Sequence, residues 1–78
     1  MALKEAKSMK ISARNQFKGT VLSIDRGAVN AIVVLDIGGG NHVSATISIK
    51  AVDELKLAVG KTAYAIIKAT SVMVGIDD

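Results

Sequence analysis

The sequence predicts an all-β fold, a small barrel of five or six strands with one short helix. Three observations carry that expectation. Apolar and polar residues alternate over short runs, which is the period of a pleated strand. Glycines separate those runs or interrupt them where a barrel has to bend. A single stretch, between residues 48 and 57, shows apolar residues at helical spacing instead.

The runs can be taken in order. Residues 1–7 have no periodicity and read as a flexible lead, leaving 8–78 as one domain. From Met9 the alternation of Met9, Ile11 and Ala13 against Lys10, Ser12 and Arg14 predicts a strand with Ser12 and Arg14 on one face. A second strand is expected over Phe17 to Asp25, with Gly19 marking a bulge or bend. Asp25-Arg26-Gly27 forms a turn. The nearly unbroken apolar run from Val29 to Ile37 suggests a strand covered on both faces. Gly38-Gly39-Gly40-Asn41 then supplies a hairpin, and His42 to Ile47 returns with Val43, Ala45 and Ile47 inward. Ser48 is placed to cap a helix whose stripe is Ile49, Val52 and Leu55, with Leu57 closing it and Gly60 ending the connection. Asp53 and Glu54 are expected early in that helix, where its dipole favours acids. Thr62 to Ala69 and Val72 to Ile76 complete the strands. This order of strands around one helix is OB-like.

Composition narrows the function classes. A chain of 78 residues makes one domain, and a core this small leaves a monomer marginal. The absence of cysteine removes disulfides and thiolate metal sites as supports, so self-association is the expected source of further stability. No apolar run approaches the ~20 residues of a membrane span, and the start of the chain does not read as a secretory signal. A cytoplasmic location is therefore expected. Of the net charge of +3, residues 1–18 carry +4, with Lys4, Lys7, Lys10, Arg14 and Lys18 against Glu5 alone. A basic arm suits nucleic acid, a solvated tail or the neighbourhood of a small anion. With Phe17 and Tyr64 as the sole aromatic residues, the stacking platform of a nucleic-acid-binding OB barrel is poorly supplied.

Catalytic chemistry finds little footing. His42 is the single histidine and follows a glycine turn, so it reads as a surface residue. Asp25, Asp36, Asp53 and Glu54 lack the spacing of a paired acid and base. The triple glycine lacks the Lys-Ser/Thr of a phosphate-cradling loop and lies between strands. What remains is a set of donors: Ser12 with Arg14, then Lys68, Thr70 and Ser71, with Ser44, Thr46 and Ser48 elsewhere. A tetrahedral dianion offers only acceptors, so it wants N–H and O–H groups beside positive charge. Solvated strand faces carry the same residue types, so spacing alone leaves both readings open.

Three segments add a resemblance. The run from Ile11 to Val21, with Ser12-Ala13-Arg14-Asn15-Gln16 followed by Phe17, Lys18 and Gly19, resembles the opening signature of the molbindin family. Arg26-Gly27-Ala28-Val29-Asn30-Ala31 resembles its second stretch, and Lys68-Ala69-Thr70-Ser71-Val72-Met73-Val74-Gly75 its closing pattern. The similarity spans about residues 9–77. It implies an OB-like barrel that binds molybdate or tungstate without an organic cofactor and catalyses nothing. It also implies a homo-oligomer, a hexamer built as a trimer of dimers, with oxyanions held at subunit interfaces. Carried over by motif, Ser12 and Arg14 contact the anion from one chain, while Lys68, Ala69 and Ser71 approach from a neighbouring one. Ser48 stands where a hydroxyl is expected at the start of the helix. The family's T-N-E-S there is Ser48-Ile49-Lys50-Ala51 here, so Ala51 lacks a second hydroxyl and Lys50 offers charge nearby.

Three roles follow. The first is storage or buffering of the oxyanion in the cytoplasm. The second is a regulatory or accessory module acting through a transporter or transcription factor. The sequence has no helix-turn-helix or nucleotide-binding stretch, which favours the first. A nucleic-acid-binding OB domain is the third.

Overall fold

Alternation of small β-branched and aliphatic residues sets the architecture, because with so few aromatic side chains only closely packed strands can bury enough area. In a computed structural model, which describes residues 11–78, four strands and one short helix form in the order β1 (Asn15–Arg26), β2 (Asn30–Gly38), β3 (Asn41–Ser48), α1 (Ile49–Glu54) and β4 (Thr62–Ile67). A 3-10 turn at Ala69–Ser71 follows. The strands make one antiparallel sheet in the order β3-β2-β1-β4.

The long β1 makes the sheet curl. Its first half, Asn15 to Thr20, pairs with β4, while Thr20 to Arg26 pairs with β2 on the other side. Two local features allow the change of direction. Gly19 lies so close to the Asp36 carbonyl that any Cβ would collide with it. Between Val21 and Ser23 the register slips, leaving Leu22 as the extra residue of a bulge. The bulge therefore falls three residues beyond the glycine that suggested it. It also returns Ile24 to the face of Val21, since the two pair with Val33 and Leu35, which lie two apart on β2.

The core is small: Val21, Ala31, Val33, Leu35, Val52 and Ala65 are buried, with Ile24, Val43, Ile47 and Leu57 packed around them. β2 alternates, contrary to the expectation of cover on both faces. Ala31, Val33 and Leu35 point inward, while Ile32 is 46% exposed. The glycine hairpin forms as expected, with Gly38, Gly39 and Gly40 all at positive φ.

The helix starts as expected and ends differently. Ser48 Oγ accepts from the Ala51 N–H at 3.0 Å, closing the N-cap. The helix has only six residues, so Asp53 and Glu54 fall at its C-terminal end and not in the first turn. The macrodipole does not favour them there; Asp53 instead pairs with Arg26 at 3.0 Å, tying α1 to the end of β1. Lys56 takes a positive φ of 54°. The Lys56 N–H bonds the Asp53 carbonyl and the Leu57 N–H the Val52 carbonyl, which is a Schellman closure without glycine.

Two expected strands do not form. Ile11 to Arg14 is irregular, and Met9 and Lys10 lie outside the described residues, as does the expected lead over 1–7. β4 stops at Ile67, opposite Asn15, so nothing among the described residues offers Ile11 to Arg14 a partner. Val72 is extended, but Val72 to Ile76 forms no strand. The described residues thus hold four strands where five or six were expected, in an all-β, OB-like sheet.

Candidate anion site

The last pair of the β1–β4 ladder, Asn15 opposite Ile67, brings the chain before β1 beside the chain after β4. Two side chains from the opening motif hold that junction. Asn15 Nδ2 donates to the Ile67 carbonyl at 3.1 Å, and Gln16 Nε2 donates to the Ala13 carbonyl at 2.9 Å. Asn15 thus locks the two segments together, and Gln16 braces the bend that presents Ser12 and Arg14.

Between the segments runs an open groove of about 440 Å³. Ser12, Arg14, Lys68 and Thr70 supply its polar lining, and Ile11, Ala13, Ile66 and Ala69 its apolar walls. No carboxylate lines it, and among the described residues neither Arg14 nor Lys68 has an acidic partner within ion-pair distance. Two cations with hydroxyls beside them and no counter-charge make a receptor for an anion. Ala69 contributes no side-chain donor. It opens the 3-10 turn, where its backbone N–H has no carbonyl one turn earlier to bond.

The expected site residues divide as follows. Ser12, Arg14, Lys68 and Ala69 meet in this groove within a single chain. The resemblance implied that the second pair arrives from a neighbour. Ser12 and Arg14 also do not share a strand face, since they lie in the irregular stretch before β1. Ser71 is exposed next to the groove, outside its lining. Ser48 is not in the groove; its hydroxyl serves the helix cap. Thr70 lines the groove although the motif did not assign it a contact. Its place beside Lys68 was the available signal. The support from Asn15 and Gln16 had none, because it depends on where β4 ends.

Other chemistries find no setting among the described residues. No group of three His, Asp or Glu side chains can hold a metal ion. His42 is exposed on β3 opposite Asp36. Phe17 and Tyr64 do not form a stacking platform. Tyr64 stands opposite Lys18, the neighbour of Phe17, so the two rings project from opposite faces of the sheet. No helix is long and apolar enough to cross a membrane.

A curled four-stranded sheet with a cation-lined groove where its two outer segments meet defines a small β domain built to receive an anion. The TOBE domain family matches residues 11–74. A probable molybdenum-pterin-binding protein of Haemophilus influenzae is 71% identical over 69 residues, which cover 88% of this chain and all of that protein. The molybdenum transport protein ModE of Herbaspirillum seropedicae is 52% identical over 66 residues, covering 85% of this chain but 24% of ModE. Among solved structures, the cytoplasmic molybdate-binding protein ModG with molybdate bound superposes with a TM-score of 0.85 at 40% identity, over 96% of this chain and 53% of ModG. The chain belongs to the TOBE domain family, among its small molbindin-type members.

Proposed function

We propose that this protein binds molybdate, and tungstate equally, as a cytoplasmic store or buffer of the oxyanion, without catalysing a reaction. The observation that carries the reading is the convergence of Arg14 and Lys68 on one groove with Ser12 and Thr70 and no carboxylate. A molybdate dianion neutralises both cations, and its four oxygens accept from the hydroxyls and N–H groups around them. The relatives agree in kind: ModG binds molybdate, and the Haemophilus influenzae protein is named for molybdenum bound with a pterin. A pterin ring calls for an aromatic or flat apolar slot, and no aromatic residue lines the groove, so the oxyanion alone is the ligand proposed.

In this reading the working form is a homo-oligomer, a trimer of dimers. The groove is too open within one chain to enclose an ion, and a second chain brought over it supplies the remaining donors. Ser48 and Ser71, exposed and outside the groove, contribute from that second chain. Calorimetric titration with molybdate, tungstate, sulfate and a pterin, with mass followed by light scattering, tests the proposal. Saturable heat with molybdate and tungstate and none with sulfate is expected. A folded oligomer that gives no molybdate heat overturns it.

The similarity to about a quarter of ModE favours one second reading, a sensing module that acts through a transporter or regulator. That reading requires molybdate to change the affinity of the chain for such a partner, which storage does not.

A further inference from the structure

The anion groove has an apolar side that the hydrogen-bond donors do not explain. Its cations and hydroxyls stand against Ile11, Ala13, Ile66 and Ala69. Ile11 and Ile66 are 41% and 40% exposed, so both branched side chains meet whatever enters. The backbone acceptors at the edge of the groove are engaged as well. The Ala13 carbonyl accepts from Gln16 Nε2, the Ile67 carbonyl from Asn15 Nδ2, and the Lys68 carbonyl from the Ser71 N–H at 2.8 Å. A water molecule held against a protein surface needs two or more polar partners. Along the isoleucine wall it finds none in the side chains, so an anion that enters sheds its hydration on that side.

That loss is larger for the smaller of two ions of equal charge, because the solvation energy of a charge falls as its radius grows. Sulfate and molybdate are both tetrahedral dianions, and Ser12, Arg14, Lys68 and Thr70 offer each of them the same donors. The donor set alone therefore favours the smaller ion, whose charge is denser. Arg14 and Lys68 are exposed, however, and charges in contact with water return little Coulomb energy. Dehydration along the wall is the term that separates the ions.

We infer, on the reading of this groove as an oxyanion site, that Ile11 and Ile66 are specificity-determining residues. The site takes large, weakly hydrated tetrahedral dianions and rejects small, strongly hydrated ones through the cost of removing their water. Molybdate and tungstate, nearly equal in size, fall in that class together. Affinity rises stepwise from sulfate through selenate to molybdate, in the order of increasing size.

Paired substitutions separate hydration from cavity size. Threonine and valine have nearly the same shape, so I11T and I11V widen the groove alike, and I11T alone gives water a partner. I66T and I66V repeat the comparison on β4. Affinities for the three anions are read by calorimetric displacement of molybdate at constant ionic strength, on variants whose circular dichroism and mass match the parent. Each threonine variant is expected to lower the ratio of molybdate to sulfate affinity about tenfold relative to its valine counterpart. Ile11 lies outside the strands, so the I11T and I11V pair decides the matter even where I66T unsettles β4. Equal ratios in the threonine and valine variants mean that size alone selects, and they overturn the inference. Selenate that binds no better than sulfate overturns it too, with molybdate binding intact. A parent protein that takes none of the three anions overturns the oxyanion reading itself, and this inference with it.

Discussion

Arg14 carries more of the proposed chemistry than any other side chain. It supplies delocalised charge and several N–H donors to the groove, with no acidic neighbour among the described residues to compete for them. Arg14→Ala is expected to weaken molybdate binding by about tenfold to a hundredfold, the cost of one hydrogen bond to a charged group. Calorimetry on a variant whose circular dichroism is unchanged reads this directly. Unchanged affinity removes Arg14 from the site. Ser48 poses a different question, because its hydroxyl already accepts from Ala51 at the helix cap. Ser48→Asp separates its two roles. Aspartate caps as well as serine, so the urea midpoint is expected to hold within about 0.5 kcal/mol of stability. If Ser48 reaches the anion from a second chain, the added carboxylate repels it and affinity falls by at least tenfold. Affinity that stays the same limits Ser48 to the cap. At this scale the sequence was readable where a motif carried it. The motif singled out Ser12, Arg14, Lys68 and Ala69, which line one groove, whereas the work of Asn15 and Gln16 depends on contacts 52 residues and one bend away.

At the scale of elements, periodicity located the strands that have partners and misjudged those that lack one. The alternation at Ile11–Arg14 and at Val72–Ile76 is as regular as that of β3, yet neither segment is paired in this chain. Strand propensity describes fitness for a half-buried pleated surface, and the surface itself has to be supplied by a neighbour. The helix shows the complementary failure. Its cap at Ser48 is a local device and was legible, but its end depends on a left-handed residue that the sequence gives as lysine. An L-residue at φ 54° costs about 1–2 kcal/mol, of which glycine's greater freedom when unfolded returns part. Lys56→Gly is therefore expected to stabilise the protein by about 0.5–1 kcal/mol, seen as a higher urea midpoint at an unchanged slope. The Lys61 ammonium now donates to the Lys56 carbonyl at 3.1 Å, a bond that glycine retains. A lower midpoint shows that the lysine side chain stabilises the closure by some other contact.

For the molecule as a whole, the six residues buried among those described form too small a core to hold a rigid site alone, and ligand and partner are expected to complete it. Uncompensated charge sharpens the point. Bringing Arg14 and Lys68 to one groove costs repulsion in the empty protein that an anion removes, so binding and folding are linked. At a hundred times its dissociation constant, a ligand that binds only the folded state adds about 2.7 kcal/mol. For a chain of this length that corresponds to a rise in Tm on the order of 10 °C. Calorimetric scans at fixed protein concentration, with molybdate and with sulfate at the same ionic strength, measure it. The shift is expected with molybdate, to be absent with sulfate, and to be largely lost in Arg14→Ala. An equal shift from both salts would mean that general screening of the two cations, and not a site shaped for the larger oxyanion, stabilises the fold.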